Sequence, residues 1–132
     1  IPYYENRLIR VANNISKKVI ELLEEYRRRE NNGAINLGIV VRVRPDTLGP
    51  RITWVRFKGK SRNGRNGKKF TPTEPVKLRG KYRYSSRLFA GFPDDIRVQL
   101  EEMERNAAYV RFRTERLAEL SRLCRTGARF RF

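Results

Sequence analysis

The sequence predicts an α+β fold in which two long helices flank a small antiparallel β-sheet. Near both ends of the chain, apolar residues recur every three or four positions, the spacing of a helix with one buried face. In the middle they alternate with other residues, as in strands. The 132 residues suffice for one domain, made of a scaffold helix (1–35), a basic β region (36–91) and a second helix with its tail (92–132).

The first helix is predicted from about Tyr3 to Asn31. Asn31, Asn32 and Gly33 form a stop signal, with Gly33 placed for a left-handed cap. The residues that share the apolar stripe are Tyr4, Leu8, Val11, Ile15, Val19, Leu22 and Tyr26. Such a stripe is stable only when it packs against another element.

The second helix is predicted from Asp94 to Arg125, with Pro93 at its start and Thr126-Gly127 at its end. Its apolar stripe runs through Ile96, Leu100, Met103, Ala107, Val110, Thr114, Leu117, Ser121 and Cys124, a heptad-like seam. We expect Cys124 to be buried. The simplest arrangement packs the two helices antiparallel as a hairpin, while a homodimer through the same seams stays open.

The middle of the chain predicts strands. Residues 37–43 alternate and residues 52–57 are rich in β-branched and aromatic side chains, so the two segments are expected to pair across a turn at residues 45–50. A third strand is expected at Val76–Leu78 and a fourth at Lys81–Tyr84. Trp54 has two interpretations, core packing or stacking on an unpaired base. The first is favoured, although alternation puts Trp54 on the same strand face as Arg56.

Charge is concentrated in this middle region. The chain has 31 Lys and Arg against 14 Asp and Glu, for a net charge of +17, and residues 36–91 hold fifteen basic and only two acidic side chains. Residues 1–35 and 92–132 each have a net charge of only +2. Solubility alone needs no such segregation, whereas a concentrated positive field attracts polyanions and binds phosphates with release of counterions.

The candidate nucleic-acid-binding residues fall into three groups. Arg42, Arg44 and Arg56 are expected to project from a two-stranded ribbon of a size that fits the major groove. A loop without apolar residues is expected to follow phosphates as a mobile arm, and it contains Lys58, Lys60, Arg62, Arg65, Lys68 and Lys69. The third group follows the loop and comprises Lys77, Arg79, Lys81, Tyr82, Arg83 and Arg87.

Few catalytic functions are compatible with this composition. There is no histidine and only one cysteine, which excludes Ser-His and Cys-His nucleophile pairs, histidine-bound metals and zinc sites. A metal-dependent nuclease built on Asp46 and Glu74 is the one catalytic alternative, but Glu74 lies three residues before Lys77 and between two prolines, which is the wrong pattern. Tyr82 and Tyr84 are expected to pack or contact phosphate. We therefore predict no enzyme activity, no cofactor and no metal.

Several short motifs resemble the MobI proteins of conjugative elements. They are Ile52-Thr53-Trp54, the long basic stretch after it, Gly80-Lys81-Tyr82-Arg83-Tyr84 and the long Glu/Arg-rich helix, with Glu24-Glu25-Tyr26 before the first strand. The resemblance spans about residues 22–125. It implies a bacterial accessory protein that binds the transfer origin of a mobile element and helps the relaxase to start DNA transfer.

The functional prediction is a non-catalytic DNA-binding accessory protein of conjugative transfer. Double-stranded DNA is the favoured partner, with a relaxase as the implied protein partner. The alternative is an RNA-binding basic protein, because high basicity and a mobile arm suit RNA equally well. No apolar run is long enough to cross a bilayer, so no membrane partner is expected. The single cysteine fits a reducing cytoplasm, which the resemblance implies to be bacterial.

Overall fold

Two long helices pack antiparallel against one face of a three-stranded sheet in the computed structural model. The structure describes residues 2–30, 36–58, 62–64, 67, 69–70, 72–78 and 80–129. The helices are α1 (Pro2–Glu30) and α2 (Asp94–Arg129). Their antiparallel arrangement brings Arg29, near the end of α1, into an ion pair with Asp95, near the start of α2. The predicted α+β fold, with a helical hairpin around a small sheet, is confirmed.

The main sheet has the order β1-β2-β5, with β1 at Leu37–Val43, β2 at Pro50–Phe57 and β5 at Thr73–Pro75. All its pairs are antiparallel. A separate two-stranded ladder joins β3 (Arg62–Asn63) to β4 (Lys69–Phe70), inside the segment predicted to be a loop. Residues 58–70, which we call the basic segment, are thus partly a hairpin.

The third strand lies three residues earlier than predicted. Pro75 lies within this strand, which is possible because β5 is an edge strand, where proline is tolerated. The Val76 amide still donates to the Trp54 carbonyl at 2.9 Å, so pairing to β2 extends just past Pro75.

The predicted fourth strand at residues 81–84 does not form. Its backbone is bonded by side chains of α2 instead: the Tyr84 amide donates to Glu104 at 2.8 Å, and the Tyr82 carbonyl accepts from Arg111 at 2.7 Å. These bonds satisfy buried backbone groups without a strand partner. A 3-10 helix at Ser86–Phe89 follows.

The end of α2 also differs from the prediction. The helix continues through Gly127 to Arg129, because a glycine within a helix costs only about 1 kcal/mol and no proline follows to stop it. Cys124 is exposed rather than buried. With 36 residues against 29, α2 is the longer helix, and because its first turn lies beside the last turn of α1, its last turns extend past the start of α1. The predicted cap at Gly33 lies outside the described residues.

The core lies between the helices and one face of the sheet. Cross-strand partners Ile39 and Trp54 both point into it, and Trp54 is fully buried with its ring 5.0 Å from that of Phe89. The helices cover the Trp54 face of β2, so Trp54 is a core residue. The other buried residues of the core are Ala12, Ile15, Val19, Leu22, Leu23, Leu37, Ile52, Tyr84, Ile96, Leu100, Ala107 and Val110.

Candidate nucleic-acid interface

The sheet face that points away from the helices carries a pair of arginines. Arg42 on β1 and Arg51 on β2 are direct cross-strand partners, and both are exposed. Side chains of such partners leave the same face of a sheet with their Cβ atoms roughly 5 Å apart. Since strand residues alternate between faces, Trp54 and Ile52 point to the core while Arg51 and Thr53 point outward.

Neither arginine of this pair has an acidic partner in the part of the chain that the structure describes. Among the described residues, no carboxylate lies within 4.0 Å of Arg42 or Arg51. Like charges directly opposite each other destabilise a sheet. The two guanidinium groups therefore form a local site of positive potential, and an anion placed between them would reduce their repulsion.

The other half of this outer face is apolar. The ring of Phe57 covers Gly38 so closely that a Cβ on that glycine would lie 2.8 Å from the ring, and Val55 beside them is buried. The Arg42–Arg51 pair thus occupies the end of the sheet near the β1–β2 turn. Arg44 is exposed in that turn, directly after β1.

Not all of the predicted strand arginines share this face. Arg56 is the cross-strand partner of Leu37 and of Glu74, and it stands on the helix-facing side at the opposite end of β2. It is nevertheless exposed, because it lies at the end of the strand. The ribbon of Arg42, Arg44 and Arg56 expected from the sequence is therefore not a single surface.

Two of the predicted lysines are paired with acids. Lys58 Nζ lies 3.0 Å from Glu74, and Lys81 Nζ lies 3.5 Å from Glu115. Both pairs are largely solvent-exposed, and such pairs contribute little to stability. A phosphate would have to compete with these carboxylates, so Lys58 and Lys81 are weaker candidates than the Arg42–Arg51 pair.

The remaining predicted residues divide into exposed and undescribed ones. Lys77, Arg83 and Arg87 are exposed and have no acidic partner among the described residues. Arg62 and Lys69 belong to the β3–β4 ladder, but their side chains are not described. Lys60, Arg65, Lys68 and Arg79 lie outside the described residues.

A cleft of about 600 Å³ adjoins the arginine pair. It lies between the β1–β2 turn, the segment around Tyr82 and the second half of α2, and Arg51 lines it. Besides Arg51, its cationic lining residues are Lys81, Arg111, Arg122 and Arg125, against the acids Asp46 and Glu115. The cleft thus extends positive charge from the sheet face onto α2.

Tyr82 is held against α2. Its ring meets that of Phe112 edge-on at 5.5 Å, and its hydroxyl is shielded from solvent and outside strict hydrogen-bond geometry with its neighbours. Proximity of this hydroxyl, followed by the charge of Lys81, lowers the pKa of Glu115. Glu115 therefore stays ionised beside Lys81, and the Tyr82 hydroxyl is not presented to a phosphate.

A buried ion pair positions the cleft and the sheet relative to each other. Glu104 is only 2% exposed and receives two hydrogen bonds from Arg111, at 2.9 and 3.0 Å. It also accepts from Trp54 Nε1 at 2.8 Å and from the Tyr84 amide. Arg111 in turn donates to the carbonyl of Ile52 at 3.2 Å, on β2.

The comparisons with known proteins bear on this arrangement. A protein-family model described as "MobI protein" matches residues 8–125, nearly the whole chain. The chain belongs to the MobI family. No match was found among the curated proteins or among the solved structures. The resemblance seen in the sequence motifs is therefore confirmed, and the chain is a mobilisation-related protein.

In this MobI chain, the motifs that carried the resemblance meet at the buried ion pair. Trp54 comes from the motif Ile52-Thr53-Trp54 and Tyr84 from the motif at residues 80–84, and both bond to Glu104 of the long helix. Burial raises the pKa of the Tyr84 hydroxyl, and the positive charge of Arg111 opposes that effect. The guanidinium carbon of Arg111 lies 4.9 Å from the centre of the Tyr84 ring. These residues shape the scaffold, so their roles differ from those of the exposed cations.

Sequence reasoning missed three cations and the ion pair. Arg51 was passed over because it precedes the predicted start of β2, and only the register shows that it faces Arg42. Arg122 and Arg125 belong to a helix whose net charge is small. Glu104 sits between Met103 and Ala107 of the apolar seam, and a glutamate there with an arginine seven residues later was the available signal.

The remaining alternatives concern metals and membranes. Asp46 lies in the turn before β2, whereas Glu74 pairs with Arg56 near the other end of that strand, so the two acids expected of a nuclease do not meet. Nowhere in the described ranges do three or more metal-ligating side chains cluster. Within those same ranges, no helix combines the length and hydropathy required to cross a bilayer.

Proposed function

We propose that this MobI-family protein binds double-stranded DNA as a non-catalytic accessory factor of mobilisation, at the transfer origin and together with the relaxase. The cross-strand Arg42–Arg51 pair is the observation that supports DNA binding most directly. Two exposed, unneutralised arginines held side by side on a sheet suit one backbone phosphate or two neighbouring ones.

The surroundings of the pair support the same surface. Arg44 lies in the adjoining turn, and the cleft lined by Arg51 and Arg125 continues the positive charge onto α2. The basic segment with the β3–β4 ladder adds further Lys and Arg. A rigid sheet face would fix the register on the duplex, while the basic segment would add phosphate contacts.

The test compares two charge-reversed proteins with the same net charge. Arg42→Glu/Arg51→Glu removes the sheet pair. The control, Arg28→Glu/Arg105→Glu, changes two exposed arginines of the helices; Arg28 is nine residues, or two and a half helical turns, from the buried Val19 and so faces outward. Fluorescence anisotropy with a labelled duplex measures affinity, and circular dichroism checks folding.

The sheet variant should bind at least about tenfold more weakly than the control. Equal weakening of both variants would show that net charge, rather than this face, determines binding. A duplex from the transfer origin of the element that encodes the protein should bind more tightly than an unrelated duplex of equal length. Equal affinity for the two duplexes would contradict the origin-specific part of the proposal while leaving DNA binding intact.

A further inference from the structure

The helix layer has an apolar groove on the side away from the sheet. It is about 560 Å³ in volume, and its described lining residues belong to the first part of α1 and the second half of α2. Its apolar lining residues are Tyr4, Leu8, Val11, Tyr109, Val110, Leu117 and Leu120. We call this surface the helix groove.

Helical geometry places the groove opposite the DNA-facing surface. Arg111 points toward the sheet, where it bonds to the carbonyl of Ile52. Leu120 is nine residues further along α2, or two and a half turns, so it leaves the opposite face of the helix. A ligand in the helix groove would therefore not compete with DNA on the Arg42–Arg51 face.

The groove exposes more apolar surface than a solvated helix pair requires. Tyr4 is 54% exposed, Tyr109 61% and Leu120 50%, and Leu123 in the next turn is 68% exposed. Contiguous apolar patches of this kind on a soluble protein mark interaction sites.

The shape and charge of the groove indicate its occupant. Its two walls are antiparallel helices, and from Tyr109 to Leu120 it runs about 16 Å, the length of roughly three turns of a third helix. Arg7, Arg113 and Arg116 line it, and none of its lining residues in the described part of the chain is acidic. Arg116 is paired with Glu119 at 2.8 Å, but Arg7 and Arg113 have no acidic partner among the described residues.

We infer that the helix groove binds an amphipathic helix with acidic flanks from a partner protein. Leucine-type side chains at helical spacing would fill the apolar floor, and flanking carboxylates would meet Arg7 and Arg113. A second copy of this chain is a poorer fit, because two copies would bring four unpaired arginines together without an acid in the groove. The inference does not depend on DNA binding.

The test uses a labelled synthetic peptide of about 20 residues, with Leu at helical spacing and Glu on both flanks. One control peptide has the same residues in scrambled order, which keeps the charge but removes the helix face, and a second has Lys in place of Glu. Anisotropy should show at least about tenfold tighter binding of the amphipathic acidic peptide than of either control. Equal binding of the scrambled peptide would reduce the effect to general charge attraction and overturn the inference.

Matched protein variants locate the binding. Tyr4→Glu/Leu120→Glu changes two exposed groove residues, and Ile20→Glu/Val98→Glu changes two exposed apolar residues outside the groove, with the same change in net charge. Only the first pair should weaken peptide binding at least about tenfold, and both should bind duplex DNA with similar affinity. Equal peptide affinities of the two variants would refute the groove as the site. A wild-type dimer in sedimentation that the groove variant alone disrupts would assign the groove to a second copy instead.

Discussion

Glu104 and Arg111, seven residues apart on α2, form a buried ion pair that joins three parts of the fold. Through it, α2 is bonded to the side chain of Trp54, to the carbonyl of Ile52 and to the segment at Tyr82–Tyr84. A buried charge that loses its partner is strongly destabilising, whereas the intact pair is close to neutral relative to apolar residues. The pair therefore matters most for which arrangement the chain adopts.

Replacing Glu104 with Gln should lower the free energy of unfolding by roughly 3–5 kcal/mol, because Arg111 would remain charged and buried without a counterion. Arg111→Met should have a similar effect. In the double variant Glu104→Gln/Arg111→Met, the loss should be clearly smaller than the sum of the two single losses. Urea denaturation followed by Trp54 fluorescence measures all three, and additive losses would show that the two charges are not coupled.

Replacing Gly49 with Ala should destabilise the β1–β2 turn. Gly49 has a φ of +81°, and a Cβ there would lie 2.8 Å from Cγ2 of Thr114 on α2. The unfavourable backbone and the clash together should cost about 2 kcal/mol or more. Gly91→Ala is the control, since a Cβ at Gly91 meets nothing within 4 Å. Thermal unfolding compares the two, and similar midpoints would argue against this close contact between turn and helix.

The salt dependence of DNA binding reports the number of phosphates contacted. With about six contacts, affinity should fall on the order of a thousandfold between 50 and 200 mM salt. In Arg42→Glu/Arg51→Glu, the slope of log affinity against log salt should decrease by about 2, because two contacts are lost. Anisotropy titrations at four or more salt concentrations give both slopes. A slope that does not change would place the two arginines outside the interface.

Competition between nucleic acids separates the favoured partner from the alternative. At fixed salt, unlabelled duplex DNA should displace a labelled duplex at lower concentrations than duplex RNA of equal length. The sheet is a two-stranded ribbon of β1 and β2 at its Arg42–Arg51 end, and such a ribbon fits the wide major groove of DNA but not the narrow one of RNA. Stronger displacement by RNA would favour the RNA-binding interpretation that the sequence left open.

The ion pair between Arg29 and Asp95 predicts a pH dependence of stability. The hydrogen bond from Arg29 lowers the pKa of Asp95 below its ordinary value of 3.8. Because the folded chain keeps this carboxylate ionised at lower pH than the unfolded chain does, the ion pair contributes its full stability above the unfolded-state pKa. That stability is lost as the pH falls through the folded-state pKa. Asp95→Asn should therefore be less stable than wild type at pH 6, with the difference disappearing toward pH 2. Thermal unfolding across this range measures the difference, and Glu102→Gln is the control, because Glu102 is exposed and has no ion pair among the described residues. A difference that is constant with pH would mean that the pair is not formed in solution.

The elements set by local patterns could be predicted, whereas those set by long-range contacts could not. The apolar stripes through Val19 and Leu100 predicted both helices. Alternation predicted β1, and β-branched and aromatic residues predicted most of β2. The backbone of residues 81–84 bonds to side chains that lie 20 or more positions away, and no local pattern contains that information.

The same limit applies to the candidate interface. Charge density located the basic region, but only strand register distinguishes Arg42 and Arg51, which share a face, from Arg56, which points the other way. The pairing of Lys58 with Glu74 also depends on β5 lying beside β2. The sequence placed the third strand at residues 76–78, three residues too late, and so did not predict this pair.

Mutual repulsion between Arg42 and Arg51 has a practical consequence for anyone purifying this protein. Under the proposed DNA binding, a polyanion held between these two side chains would stabilise the folded chain and raise its melting temperature. Preparations from a cell lysate are then expected to retain host nucleic acid and show excess absorbance at 260 nm, until a high-salt wash or a heparin column removes it.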